Sequence, residues 1–418
     1  MKPTTRAWIL SAAAVSLLIA SPGAALAGLA QSAWPCFGHD AQHTGRSEFA
    51  GPSNPRVLWK YKSKNRLVST PSVAPLEAGQ TLGDVYLGHS HYPLCRIDAN
   101  DGSQLWCTTD NTGTFADRSS PAVGDDGSVY IGGRDNDLWW ARATDGHVFD
   151  TFHIHTDGDV STSPMIATTA GHDLILMGSN SLSAGFFYGM RQAPGPLLAD
   201  QWLNVLGGGL ANVSPALSQD GQVVYVSSAG KNLHAIDVNT GVELWRIKLE
   251  KKGNGVRAPN FTPVVGADGT IYVGFDKGLF AVTPDGNQKW LFSTDRRKMY
   301  SPPALGADGT IFFGAARRND GMIFAVKDDG TQAAQLWSFP VKGRLINTQP
   351  IVDVNGVVYA VANRTLRAFD PAGNGQGGGK VIWERTFPRR VFDAGPILGG
   401  PGRIYVGSRD KFLYALGD

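Results

Sequence analysis

The sequence predicts an all-β fold, an eight-bladed β-propeller with four-stranded blades. Three observations lead there. A Ser/Thr-Pro, or a Pro in its place, recurs at Pro71, Pro121, Pro164, Pro215, Pro263, Pro303, Pro350 and Pro396, at separations of 40 to 51 residues. Self-similarity at such a period marks a repeat architecture. With 52 glycines and 24 prolines in 418 residues, the chain suits many short strands joined by tight turns and carries no extended helical period. The third observation is that the two ends of the chain complete one another, as set out below.

The first 27 residues stand outside the fold. Lys2 and Arg6 give a positive start, Ala7 to Ala20 form an apolar run, and Ala25-Leu26-Ala27 ends in an A-x-A pattern. This predicts a secretory signal cleaved after Ala27, hence a periplasmic or extracellular protein. Gly28, not Cys, follows, so no lipid attachment is expected, and no later run is apolar and long enough for a membrane helix. Residues 28–55 form a lead-in segment, and residues 56–418 form the propeller.

Within each unit the proline opens a short first strand. A Gly/Asp turn and an aromatic-rich second strand follow: DVYLG, SVYIG, LILMG, VVYVS, TIYVG, TIFFG, VVYAV and RIYVG. A third strand comes next, from PLCRID in the first unit to LYAL in the last. Turns such as Asp101-Gly102 and Asp285-Gly286 supply the positive φ that tight hairpins need. A fourth strand bears Trp106, Trp202, Trp245, Trp290, Trp337 or Trp383, with Phe149 in that role once, and this large flat side chain is expected between neighbouring sheets. The eighth unit stops at Asp418 after its third strand, while an orphan Trp strand, RVLWKYKS around Trp59, precedes the first. The two deficits cancel if the N-terminal strand completes the last blade, which closes the ring and removes an open edge.

The repeats resemble the PQQ-like repeat propellers. The matching stretches are AIDVNTGVELW (Ala235 to Trp245), RIDANDGSQLW (Arg96 to Trp106) and WPCFGHDAQHTG (Trp34 to Gly45). That family includes quinoprotein dehydrogenases and the non-catalytic propeller subunit of the outer-membrane β-barrel assembly machinery. For the enzymes, the resemblance implies PQQ at one channel mouth, a calcium held by Glu, Asn and Asp, an Asp base and often a vicinal Cys pair. This chain has no Cys-Cys. Asn212, Asn260, Asn347, Asp159 and Asp393 are placed to face the channel, but no Glu occupies a comparable position. No cofactor is therefore expected, with PQQ and calcium as the alternative.

Strand order places the segments entering each first strand at one mouth and the turns after it at the other. The entering segments carry Arg66, Arg118, Arg257, Arg297, Arg344 and Arg390, joined by Lys298 and Arg389. Guanidinium forks pair well with carboxylates or phosphates, so these arginines are the candidate ligand-binding residues. Asp117, Asp159, Asp295 and Asp393 dilute that rim, while Asp125, Asp126, Asp268, Asp285, Asp308, Asp328 and Asp329 crowd the opposite turns. A formal charge of +2 argues against nucleic acid as a partner.

Cys95 and Cys107 fall opposite one another across the turn at Asp101, as a disulfide or as two free thiols, and Cys36 is left over. His89 with His91, and His153 with His155, each place two imidazoles on one face of an extended strand and are weak metal candidates. His39 and His43 are expected to pack the lead-in segment onto the ring. No G-x-S-x-G, H-E-x-x-H or phosphate loop is present. The functional expectation is an exported, non-catalytic scaffold that binds a protein, a peptide or a small acidic ligand. The alternative is a PQQ-dependent oxidoreductase acting on an alcohol or sugar.

Overall fold

In the computed structural model, strand follows strand in chain order within each sheet, and each sheet is one repeat. The described residues are 28–67, 69–88, 94–108, 119–133, 137–153, 162–169, 172–180, 184–193, 197–210, 212–250, 262–342, 348–391 and 394–418. The strands form eight antiparallel sheets arranged as an eight-bladed β-propeller. Blade 1 runs Ser72–Val73, Val85–Leu87, Cys95–Ile97, Gln104–Cys107. Blade 3 runs Met165–Thr169, His172–Asn180, Gly185–Ala193, Leu197–Leu206. First strands of neighbouring blades touch one another, at blades 1 and 2, 4 and 5, 6 and 7, and 8 and 1, so they surround the axis. Among the described residues blade 6 alone adds a short strand, Lys298–Met299, pairing with Ala316 and Ala315.

The last blade closes as the two chain ends require. Ile397–Gly400, Arg403–Gly407 and Phe412–Gly417 pair in sequence, and the N-terminal strand Arg56–Lys62 adds to the outside of Phe412–Gly417. Trp59 lies opposite Ala415 and Lys62 opposite Phe412.

The repeated turn GADGT, present at both Gly266–Thr270 and Gly306–Thr310, has a local cause. The Asp268 carboxylate accepts the Thr270 amide at 3.0 Å and its hydroxyl at 2.8 Å, while Asp308 accepts the same two groups of Thr310. Gly269 sits at φ +82° and Gly309 at +80°, the left-handed region that favours glycine. A short carboxylate and a glycine in fixed order thus make a turn the sequence must repeat wherever the geometry repeats.

The tryptophans bind blade to blade. The indole N–H of Trp59 donates to Ala99 O, Trp106 to Thr144 O, Trp202 to Val238 O, Trp245 to Pro284 O and Trp337 to Pro371 O, all within 2.8–3.0 Å. Each acceptor belongs to the third-to-fourth-strand turn of the next blade. Glycine in that turn is required by contact: a Cβ on Gly241 would lie 2.6 Å from Trp202, and one on Gly286 2.7 Å from Trp245. In blade 2 the expected Phe149 does not take the place: Asp150 occupies that register position opposite Trp140, and Trp140 of the third strand stacks on Tyr130 with ring centres 6.1 Å apart, Phe149 packing beside it at 4.9 Å.

Replacing Trp337, which is 1% exposed, by Ala should therefore lower stability by about 3–5 kcal/mol through cavity formation. Trp337→Phe should cost less, since it keeps most of the buried surface. Urea midpoints check this, and a loss under about 1 kcal/mol for the Ala variant would remove the inter-blade role.

Candidate functional site

The first mouth, on the side of the Gly/Asp turns, is clamped by the chain's own lead-in segment. Amides at the ends of six first strands donate to it: Val73 to Trp34 O, Val123 to Pro35 O, Leu217 to Ala41 O, Val265 to Gln42 O, Leu305 to Thr44 O and Val352 to Gly45 O, at 2.7–2.9 Å. Read along the segment, these carbonyls meet blades 1, 2, 4, 5, 6 and 7 in that order. Residues 34–45 therefore run around the inside of the ring in the sense of the blades. The Gln42 side-chain amide donates to Ser218 O at 3.1 Å, and Gln349 donates to His43 O at 2.7 Å and Pro303 O at 2.8 Å, adding side-chain ties.

His39 and His43 hold this clamp by opposite means. His39 stands edge-on to Trp34, with ring centres 4.8 Å apart, and is paired with Asp40 at 3.5 Å and Glu48 at 3.3 Å. Burial works against its charge, but hydrogen bonds to the two carboxylates outweigh it and raise the imidazole to about 9. His43 stands edge-on to Phe37 at 5.5 Å, and burial lowers it to about 4. Asp40 also accepts the Thr44 amide at 2.8 Å and the Thr44 hydroxyl. Both histidines have positive φ, 81° and 59°, as a tight path requires.

Beside the clamp, between the twin GADGT turns, lies a cleft of about 510 Å³ floored by Gln42, Thr44 and Arg46. Its charges are mostly matched: Lys289 pairs with Asp328 at 2.8 Å and Lys327 with Asp308 at 3.3 Å, while Tyr272 and Trp290 also donate to Asp328. The aspartates crowding this face are thus largely turn caps and ion-pair partners.

At the second mouth the residue before the proline ties neighbouring blades at four of the eight junctions. The Ser120 amide donates to Ser163 Oγ at 2.9 Å, Ser163 to Ser214 Oγ at 3.3 Å, Ser214 to Thr262 Oγ1 at 3.0 Å and Gly395 to Thr70 Oγ1 at 3.3 Å. The Ser/Thr of the repeat thus links blades 2 to 5 in series and blade 8 to blade 1, while Pro302 and Gln349 stand in its place in blades 6 and 7. One residue earlier in blades 1 to 3, Ser69, Ser119 and Thr162 bond within their own blade to Gly88, Gly132 and Gly178.

Of the six candidate arginines, Arg118, Arg257 and Arg344 lie outside the described residues. Arg66 and Arg390 are exposed at this face. Arg297 is engaged, with Asp320 at 2.7 Å and Asp295 at 3.7 Å. Sequence reasoning missed a neighbouring network: buried Lys231 bridges Glu250 and Asp276, each at 2.6 Å, and Lys298 pairs with Asp276 at 3.1 Å. These residues come from separate loops of blades 4, 5 and 6, with no shared motif to announce them. Lys231 at φ +62° gives no clear signal either.

Of the metal candidates, His89, His91 and His155 lie outside the described residues, and exposed His153 pairs with Asp137 at 2.9 Å. Among the described residues no three of His, Cys, Asp and Glu cluster as metal ligands. Asn260, Asn347, Asp159 and Asp393 are likewise outside them. Four described carboxylates near this mouth, Glu250, Asp276, Asp295 and Asp320, face Lys or Arg. Cys95 and Cys107 sit directly opposite in register, Cα atoms 4.0 Å apart, and are joined as a disulfide, while Cys36 is buried and free.

Comparison with known proteins gives a consistent set of likenesses. The family model described as "Outer membrane protein assembly factor BamB" matches residues 49–183 and 192–376. The outer membrane protein assembly factor BamB of Burkholderia pseudomallei (strain K96243) is 33% identical over 231 residues, 50% of this chain and 55% of that protein. The chain thus spans about half the length of that curated relative. In fold, it is similar to the quinohemoprotein alcohol dehydrogenase of Comamonas testosteroni (TM-score 0.71, 14% identity, 92% of this chain and 80% of the other). It is also similar to BamB of Moraxella catarrhalis (TM-score 0.63, 15% identity, 87% of this chain and all of the other). At those identities the likeness is one of architecture.

The two histidines set a pH window for the clamp. His39 titrates higher folded than unfolded, so its contribution is complete below about 6.5 and fades as pH rises toward 9. His43 titrates lower folded than unfolded, so stability falls as pH drops from about 6.5 toward 4. Thermal melting across pH 4–9 should show a maximum between these limbs, and His39→Gln should lower the maximum and flatten the alkaline limb. An unchanged alkaline limb in that variant contradicts the pairing.

Proposed function

The chain belongs to the PQQ-like repeat family described as outer membrane protein assembly factor BamB, and from that membership we propose that it is an exported, non-catalytic scaffold serving outer-membrane protein assembly in the periplasm. The observation that carries this reading is the charge pairing at the second mouth. There Glu250, Asp276, Asp295 and Asp320 pair with Lys231, Arg297 and Lys298. Both mouths are built from bonds that keep the ring rigid, which suits a platform whose outward surfaces meet a partner. The pairing of Arg297 with aspartates favours a protein partner over a small acidic ligand. Arg390 is exposed at that face for such a contact.

The rival reading, a PQQ-dependent oxidoreductase, draws on likeness of fold alone. Mixing the purified protein with PQQ and calcium separates the two. An unchanged quinone spectrum without dye reduction is expected, and reconstituted turnover would overturn the scaffold. Co-isolation from the exporting compartment should recover outer-membrane assembly proteins with the parent chain and fewer with the Arg257→Glu, Arg344→Glu, Arg390→Glu triple variant. Equal recovery would remove the second mouth as the contact.

A further inference from the structure

Between its first and second strands blade 1 carries an excursion that blades 2, 4, 5, 6 and 7 lack. Residues 74–84, eleven in all, join Val73 to Val85, whereas four or five residues make the same connection in those blades. The excursion is held in one shape. Buried Arg96 donates through Nε to Asp84 at 2.9 Å and pairs with Glu77 near the tip. The Gln80 amide donates to Glu77 O, and the Glu77 amide to Gln80 Oε1, each at 3.0 Å. On this fixed loop Leu76 is 62% exposed, although nothing in the closure of the ring requires an apolar side chain there.

Facing the excursion are the blade 8 turn at residues 399–401 and two pieces of the lead-in segment. Together they bound a pocket of about 380 Å³ walled by Leu76, Leu82, Phe49, Ala33 and Pro401. Mostly apolar walls with a few fixed polar groups are what binding pockets share. Here the polar group is Ser32, whose buried Oγ lines the pocket and has no hydrogen-bond partner among the described residues. A buried hydroxyl left without a partner costs free energy that a ligand able to bond it recovers. The border is acidic. Arg96 serves both Glu77 and Asp84, and His39 serves both Asp40 and Glu48, so each group holds two carboxylates for one cation. Glu77 and Glu48 are the exposed members, while Arg403, next along the chain from the blade 8 turn, is directed to Ala99 O at 3.4 Å.

We propose that this pocket, between the blade 1 excursion and the blade 8 turn, seats a tyrosine side chain of a partner polypeptide with a basic residue beside it. Tyrosine joins an apolar ring to one polar tip, which matches walls of Leu76, Leu82, Phe49 and Pro401 around a single unpaired hydroxyl. The ring packs on the walls, the phenol bonds Ser32 Oγ, and the neighbouring cation faces Glu48 or Glu77. A second copy of this chain is an unsuited occupant, because none of its described tyrosines is exposed. The pocket lies on the turn side, away from the second mouth. The proposal rests on the scaffold reading only for the partner being a polypeptide.

The test uses the purified chain and a fluorescein-labelled heptapeptide, Gly-Ser-Lys-Tyr-Lys-Ser-Gly, with binding read by anisotropy. The peptide is expected to bind, and a copy with p-benzoylphenylalanine for its tyrosine to photo-crosslink within residues 74–83 or 399–401. Leu76→Ala, at an exposed position, should weaken binding about ten-fold, while Ile382→Ala, also at an exposed position, should not. Phenylalanine for the peptide's tyrosine should weaken binding to the parent chain about three-fold or more, and should cost nothing against Ser32→Ala. Glutamates for the peptide's lysines should abolish binding. No binding, crosslinks elsewhere, equal effects of Leu76→Ala and Ile382→Ala, the same phenylalanine loss in parent and Ser32→Ala, or an unaffected glutamate peptide would each overturn the proposal. So would tyrosine amide competing as well as the whole peptide, which assigns the pocket to a small aromatic molecule. Dimerisation in sedimentation that Leu76→Ala removes would overturn it too, by assigning the pocket to a second copy. Because the probe is synthetic, failure to co-isolate a cellular partner bears on the scaffold reading and leaves this result standing.

Discussion

The pairing of Arg56–Lys62 with Phe412–Gly417 is the interaction on which the other features depend. It joins residues 350 or more positions apart, so the loop it closes is essentially the whole propeller. Closure entropy grows only slowly with loop length, which makes such a long-range strand pair thermodynamically tolerable. In return, blade 8 gains its outer strand, and Trp59 reaches across to Ala99 in blade 1. The seam has further ties. Asp418 accepts the amides of Ser53 and Asn54 at 3.0 and 2.7 Å, Tyr61 donates to Gln104 at 3.0 Å, and Trp383 of blade 7 donates to Pro52 O at 3.0 Å. Without this seam, blades 1 and 8 would each expose a face that is buried here.

Those rings work at opposite ends of the channel. On the turn side, carbonyls of residues 34–45 receive an amide from six blades, so a separate piece of chain acts as a circular brace. On the other side, the brace is intrinsic, formed by hydroxyls next to the prolines. Proline fixes the backbone and gives up its own donor, and the adjoining Ser or Thr supplies the blade-to-blade acceptor. The rim is held by Trp side chains seated on glycine turns. Three sets of modest contacts, the hydroxyl bonds at four junctions and the other two around most of the ring, thus hold eight small sheets that would be marginal alone.

Much of this was legible in the sequence, because repeated geometry forces repeated residues. The Asp-Gly turns, the Trp positions and the missing fourth strand of the last unit gave the blade number and the closing strand before any coordinates. The symmetric spacing of Cys95 and Cys107 about Asp101 likewise placed them opposite. The clamp was not legible in detail, since it is made by main-chain carbonyls, whose partners depend on path and not on side-chain identity. The charge network of Lys231, Glu250, Asp276 and Lys298 joins loops from three blades and obeys no local spacing. Reading arginine position alone overstated the availability of Arg297, whose partner Asp320 enters from a hairpin of the same blade.

The central claim is that the two chain ends form one blade. Native-state hydrogen exchange measured on the strand Arg56–Lys62 addresses it most directly. The account predicts that its pairing amides exchange as slowly as those of Phe412–Gly417 and lose protection together with them as denaturant is added. Rapid, independent exchange of Arg56–Lys62, as for a frayed terminus, would contradict a ring closed by that strand.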